Sequence, residues 1–320
     1  MSGDVENEPY VSVITPVYNG GAFLDECIDS VLSQTHRNFE YVIVDNHSTD
    51  DSAAIAARYA ALDERVRVVQ PERHLSQTDN FNFAAGCSAG DAAYLKTVHA
   101  DDALLPDCIE QMVAIGERHP NVGVIGAMRF VGGDQVDLIG VPPNVEFVPG
   151  RWLIRTQLLG APYTTGPPTA TMIRSSVIRD RVPLYDPAYE HNDDALMYCL
   201  LRNVDFGYYP GPLTRSRRQT VSRTAWSSRV GTWTPERLRM VLDFASDILE
   251  PVELDAVAGR LEERYGLTLV KWTVTLKLVR DREVFLYHRA SLRAIAESSR
   301  KVGRPLPRVL QLYARVLRSS

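Results

Sequence analysis

The chain has 320 residues, 45% of them hydrophobic and 23% charged, and a formal net charge of -5 at neutral pH. That is enough for one large or two modest globular domains, and it carries no global basic field that would recruit nucleic acid. The four cysteines, Cys27, Cys87, Cys108 and Cys199, are scattered without a Cys-x-x-Cys pair, which argues against a zinc site or disulfide framework and fits a reducing cytosol.

The stretch Met1 to Pro9 is polar and acidic, unlike a signal peptide, and no apolar run approaches the roughly 20 residues of a membrane span. Val11 to Thr15 reads as a buried strand ended by Pro16. After Gly20 and Gly21, the spacing of Leu24, Cys27, Ile28, Val31 and Leu32 predicts a helix. Glu40 to Val44 is a second strand, Ser52 to Leu62 an Ala-rich helix, and Val66 to Gln70 a third strand. Asp79 to Ala89 reads as a helix, Tyr94 to Val98 as a strand, Asp107 to Arg118 as a helix and Val122 to Ile125 as a strand. This alternation predicts an α/β domain with a mostly parallel sheet covered on both faces by helices.

Beyond residue 126 the rhythm changes. Residues 127 to 190 hold short strand-like pieces among many Gly and Pro, then Asp193 to Leu201 reads as a helix and Phe206 to Tyr209 as a short strand. From Pro235 onward the pattern is helical, over Glu236 to Leu249, Glu253 to Tyr265, Leu267 to Val279 and Glu283 to Ser299. A Ser/Thr/Trp-rich connector, Thr224 to Thr234, suggests a division into residues 1–225 and a helical region 226–320.

Three motifs carry chemistry. Asp101 and Asp102 stand where the strand Tyr94 to Val98 stops, and ligands collect at the carboxyl ends of strands in open α/β sheets. Two adjacent carboxylates there suit a hard divalent cation also held by phosphates, although helix-start chemistry explains the pair as well. Thr15-Pro16-Val17-Tyr18-Asn19-Gly20-Gly21 is a turn that can cradle phosphate or simply join strand to helix. Asp45 closes the second strand, where it could accept hydrogen bonds from a base or ribose. Asp50 or Asp51 is placed to cap the helix that follows.

In this order the motifs resemble glycosyltransferase family 2, whose members share the GT-A fold. The resemblance rests on Val11 to Asn19, Ser30 to Thr35, Glu40 to Asp50, Gly90 to Leu95 and Ala100 to Pro106. It is strong over residues 10 to 126 and weaker to about 224. It implies a nucleotide-sugar half at about 10–126 and an acceptor half at about 127–225. By the same resemblance Asp45 contacts the nucleobase, the backbone around Thr15, Pro16 and Tyr18 lines the base pocket, and Asp101 and Asp102 bind ribose and a Mn2+ or Mg2+ ion, with Asp102 the first metal ligand.

Glu190 to Tyr198 resembles the family's Glu-Asp motif, in which the second acid deprotonates the acceptor; that is Asp194, beside Asp193. Charges in the first turn of a helix are also favourable without any such role. Asn80 resembles a residue near the nucleotide, and Arg73 could reach the base or phosphates, or both could be solvated loop residues. The sequence departs from the family at His99, which replaces the first Asp of the metal motif and reads as a hydrogen-bonding wall residue. It departs again at Gln219, near the position where many members carry a metal-binding His. Lys96, inside a strand, must pair with an acid or snorkel.

The resemblance implies a cytoplasmic, metal-dependent, inverting glycosyltransferase. It would use a UDP- or dTDP-type nucleoside diphosphate sugar and a hydroxyl acceptor in polysaccharide, glycolipid or glycosylated-metabolite synthesis. A sugar nucleotidyltransferase is the competing enzyme, but Pro16 to Gly21 lacks the basic residues such a phosphate loop needs. A silent nucleotide-sugar-binding scaffold is the competing non-enzyme. The tail Ser298 to Ser320 has six basic residues and no acid, with Leu306, Val309, Leu310, Tyr313, Val316 and Leu317 on one helical face. Such a helix can lie peripherally on the inner face of a membrane, pack in a core or form a homodimer.

Overall fold

The structure is a computed structural model that describes residues 8–217, 223–275 and 277–316. Arg218, Gln219, Leu317 and Arg318, which bear on the expectations above, lie outside the described residues. The chain divides into two compact units. The first comprises Met1–Leu153, Ala161–Ala188 and Asn192–Arg218, and the second Ile154–Gly160, Tyr189–His191 and Gln219–Ser320.

The first half of the chain alternates as its hydrophobic periods require. β1 (Val11–Val17), α1 (Gly21–Leu32), β2 (Phe39–Asp45), α2 (Ser52–Leu62), β3 (Val66–Val69), α3 (Gln77–Gly86) and β4 (Tyr94–Thr97) follow one another. Then come β5 (Ala103–Leu104), α4 (Cys108–Arg118), β6 (Val122–Val131), β7 (Gln135–Asp137), β8 (Phe147–Val148) and α5 (Gly150–Leu158). β9 (Thr171–Arg174), α6 (Asn192–Leu201) and β10 (Asp205–Ser216) complete the sheet-bearing part. The strand order is β3-β2-β1-β4-β9-β6-β10-β5, with β7 on β6 and β8 on β10.

β1 pairs in parallel with both β2 and β4, so the connections diverge on either side of it. A crevice opens at the carboxyl ends of strands at such a switch point, and that is where open α/β sheets take their ligands. β1 is buried along its whole length, and Val11, Val13 and Val17 join Leu24, Cys27, Ile28 and Val31 of α1 in the core. Burying both faces of a central strand selects the near-continuous apolar run seen here over alternation.

Beyond β4 the sheet is mixed. β9 runs antiparallel to both β4 and β6, while β6 and β10 are parallel to each other. β10 covers 12 residues, not the four read as a strand. It continues through Pro210-Gly211-Pro212 because the register shifts between Tyr209 and Pro212 and again between Pro212 and Thr214. Bulges accommodate proline, whose missing N–H would otherwise break the ladder.

The second unit is helical. α7 (Arg223–Val230), α8 (Trp233–Phe244), α9 (Pro251–Val274), α10 (Lys277–Arg280), α11 (Arg282–Lys301) and α12 (Arg308–Val316) follow the sheet. α9 is one helix where two were expected to meet at Gly266. Gly266 is no break; it lets Val309 of α12 approach, since a Cβ there would lie 2.9 Å from Val309 Cγ1. Tyr313 bonds Thr273 of α9 at 2.9 Å and Leu310 is buried, so part of the apolar face of α12 packs within the helical unit. Among the described residues no helix is long and apolar enough to cross a membrane.

Candidate active site

The loops after β1 and β2 lock onto each other. Asn19 and His47 both adopt positive φ, at 54° and 58°. Asn19 Oδ1 accepts from the Thr49 N–H at 2.8 Å, and the Asn19 N–H donates to Ser48 Oγ. The Gly20 N–H donates to Ser52 Oγ and the Gly21 N–H to Asp50 Oδ2, each at 2.9 Å. The glycine turn therefore spends these two donors on protein, which supports the plain strand-to-helix reading over a phosphate cradle. Asp50 also accepts from the Ser52 N–H and hydroxyl, while Asp51, in the N-cap position, makes no side-chain cap bond.

Asp45 ends β2 and is 2% exposed. Its Oδ1 accepts from the Ser48 N–H at 3.2 Å and its Oδ2 from Gln70 Nε2 at 3.0 Å. Neighbouring Asn46 clamps the segment after β3 through Leu75, accepting its N–H at 2.8 Å and donating to its carbonyl at 3.0 Å. His74 is thereby set edge-on to Tyr18, ring centroids 4.6 Å apart, and Tyr18 is 51% exposed. Arg73 is exposed on the same segment. Thr15 and Pro16 are buried within β1, the Thr15 hydroxyl bonding Tyr41 at 2.9 Å. Asn80, on α3, is 4% exposed and its Oδ1 has no hydrogen-bond partner.

His99, Asp101 and Asp102 form a second corner beyond β4. The Asp102 N–H donates to the His99 carbonyl at 3.0 Å, closing a turn that turns the two side chains towards each other. The far side is tied down by β5, which pairs antiparallel with β10 at Thr214 and Arg215. One ligand atom from each of the three residues lies within 4.8 Å of the others. Asp102 is 7% exposed. Burial pushes its carboxyl above the usual range; His99 opposes this, Asp101 adds to it, and the hydroxyls of Thr169 and Ser216 oppose it. Ser216 Oγ stands beside Asp102 but reaches no partner at standard hydrogen-bond geometry. Two carboxylates and an imidazole whose buried Nε2 is unpaired fit a divalent cation.

Three residues organise this corner: Lys96, which the sequence marked as unusual inside a strand, and Thr169 and Ser216, which it did not single out. Thr169 Oγ1 accepts from the His99 N–H at 3.0 Å. Its backbone carbonyl accepts from Lys96 Nζ, as does the Thr171 carbonyl at 3.0 Å. Lys96 is wholly buried and holds carbonyls, neither pairing with an acid nor snorkelling to solvent. Thr169 and Ser216 sit far along the chain from Asp102 in segments with no motif, so only the pairing of β9 with β4 and of β10 with β5 brings them in.

Asp193 and Asp194 occupy the first turn of α6. The Tyr163 hydroxyl donates to Asp194 Oδ1 at 2.6 Å. Asn192 Nδ2 donates to Thr78 Oγ1 at 2.8 Å, tying the start of α6 to the start of α3. Asp193 also lines a small cavity with Thr97 of β4, Pro168 and Tyr185. Phe81 meets His99 and Tyr185 edge-on, centroids 5.3 and 5.8 Å away. The structure thus brings the α6 acids to the same strand ends as the metal-type corner, with the Asp45 group beside them across β1.

The sequence model of Glycosyl transferase family 2 matches residues 12–182. An uncharacterized glycosyltransferase of Haemophilus influenzae is 26% identical over 217 residues, 67% of this chain and 67% of that one. Two further curated relatives are matched over only 39% and 26% of their own lengths. The S. aureus TarS 1–349 structure in complex with UDP superposes with a TM-score of 0.63 at 17% identity, covering 96% of this chain and 88% of that one. A mannosyltransferase of Pyrobaculum calidifontis in complex with GDP-Man and Mn2+ superposes with a TM-score of 0.54 at 13% identity, covering 95% and 90%. At such identities the structural likeness establishes the fold.

Proposed function

The chain belongs to glycosyl transferase family 2 and has the GT-A fold, and from this premise we propose that it moves a sugar, with inversion, from a UDP- or dTDP-type donor to an acceptor hydroxyl. The observation that carries the reading is the cluster of His99, Asp101 and Asp102 at the carboxyl end of β4, beside the switch point at β1. Asp45, with its fixed neighbours Gln70 and Ser48, receives the base on the adjacent strand end, and Tyr18 and the backbone at Thr15 and Pro16 form the wall. Asp102, with Asp101, holds a divalent ion, which when bound supplies Lewis-acid stabilisation to the departing diphosphate.

The remaining work falls to the protein. Thr169 and Lys96 keep the β4 turn in place, so the carboxylates meet the donor already oriented. The bond from the anomeric carbon to the diphosphate oxygen breaks as the acceptor oxygen attacks the opposite face. Asp194 takes the acceptor's proton, as a general base must in an inverting transfer. The Tyr163 hydroxyl, bonded to Oδ1, orients that carboxylate.

A thermal-shift panel of nucleotide sugars with and without Mn2+ tests the donor site. A ligand at about 100 times its dissociation constant should add about 2.7 kcal/mol of stability, and a flat panel would overturn the proposal. Asp194→Asn should abolish transfer and leave donor affinity within about twofold, since only the proton acceptor is lost. Loss of donor binding instead would make Asp194 structural.

A further inference from the structure

On the reading that Asp101 and Asp102 hold a divalent ion, we infer that the His99 imidazole is a third ligand and that it turns the site's preference from Mg2+ towards Mn2+ and Co2+. The three side chains form one mixed nitrogen–oxygen group. His99 Nε2 is closed off from solvent and has no hydrogen-bond partner. A buried polar atom without a partner is a cost that the folded chain normally avoids, and a cation bound at Nε2 removes it. Nδ1, the other ring nitrogen, lies 3.8 Å from Asp102 Oδ2, too far for a hydrogen bond, so the carboxylate does not claim the ring.

The ring is also held where it stands. Its backbone N–H is fixed on Thr169 Oγ1 at 3.0 Å, and the Phe81 ring meets it at 84°. Supports of this kind are what a metal-binding imidazole needs from its surroundings. A hydrogen-bonding wall residue would instead be expected to spend the buried nitrogen on a protein partner.

The ion preference follows from ligand chemistry. Mg2+ demands an octahedron of oxygens and gives up water reluctantly, so a ring nitrogen serves it poorly. Imidazole suits first-row transition ions, whose affinity for such sites rises from Mn2+ to Co2+. A neutral ring in place of a carboxylate also leaves one negative charge fewer on the protein. The ion then keeps more attraction for the donor's diphosphate, and should bind the protein–nucleotide complex more tightly than the protein alone.

The test uses the whole chain with UDP or dTDP, whichever shifts it more. Affinities for Mg2+, Mn2+ and Co2+ are measured by calorimetry, and the Mn2+ complex is examined by pulsed electron paramagnetic resonance. Nitrogen hyperfine coupling to Mn2+ is expected, and His99→Asp should remove it. The same variant should lower the Mn2+-to-Mg2+ affinity ratio by about tenfold or more, on the scale of changes around metal ligands. Mn2+ that binds the unaltered chain without nitrogen coupling overturns the assignment of His99 and leaves the carboxylate pair standing. Nucleotide binding with no ion bound overturns the metal reading and His99 with it. Should His99→Asp fail to fold, the coupling in the unaltered chain decides.

Discussion

Lys96 shows how a single side chain can hold a site it does not touch. Its ammonium is wholly buried, and burial lowers its pKa while Cys108 and Asp102 pull the other way. It donates to the carbonyls of Thr169 and Thr171, and Thr169 in turn holds the His99 N–H. Lys96→Met would fill the same space and remove a buried charge, which is favourable, but leave two buried carbonyls without a donor, which is not. These effects oppose, so stability should fall by no more than about 2 kcal/mol. The Thr169–Thr171 segment would lose its anchor. Mn2+ affinity in the presence of nucleotide should then drop about 10–100-fold, as it does when a ligand's supporting partner is removed. Calorimetry of the variant checks this, and an unchanged affinity would mean the turn is held without Lys96.

At the scale of elements, α4 packs on the sheet only because Gly116 has no side chain. A Cβ there would lie 2.3 Å from Tyr94 Oη and 2.8 Å from its ring. Tyr94 is fully buried on β4 and donates to Glu117 Oε1 at 2.6 Å, so it has nowhere to move. The Gly116 carbonyl also accepts from Arg174, whose guanidinium lies 4.9 Å from the centre of the Tyr94 ring. Ala is the better helix former by about 1 kcal/mol, but overpacking of this kind costs about 1–3 kcal/mol. Gly116→Ala should therefore lower the denaturant midpoint. Tyr94→Phe in the same chain, which removes the clashing oxygen, should recover part of the loss. A midpoint raised by Gly116→Ala alone would show that α4 has room to shift.

Across the molecule, the helical unit carries its own pH dependence. His288 is buried and satisfied as the neutral ring, Nε2 donating to the Val230 carbonyl at 2.9 Å and Nδ1 accepting from the Tyr265 hydroxyl at 2.8 Å. Burial pushes it down to about 4 from 6.5, the Val230 carbonyl opposing and Lys277 adding to the shift. Between those values the unfolded chain binds the proton and the folded chain does not. The contribution is therefore complete above pH 6.5 and is lost as pH falls towards 4, by roughly 3 kcal/mol in all. Glu262 acts with the opposite sign, because burial raises its carboxyl even with Arg304 at 3.4 Å. The readout is therefore the difference between the unaltered chain and His288→Gln in thermal unfolding from pH 7 to 4.5. The loss on acidification should be smaller in the variant, and equal losses would show that His288 is not its source.

The sequence by itself determined the alternating first half, because a strand buried on both faces must be a continuous apolar run and its covering helices must repeat at helical spacing. It also determined the carboxylates at the strand ends, since Asp45, Asp101 and Asp102 each follow such a run directly. Folding decided what surrounds them. β9 has four residues among Gly and Pro, and β10 runs through two prolines on register shifts that no local period reveals. Thr169 and Ser216 consequently reach the Asp102 corner only by strand pairing between distant segments. The unpaired nitrogen of His99 likewise exists only once Phe81, Thr169 and Asp102 have closed around it, because burial of a polar atom is a property of the packed chain and not of any residue in it.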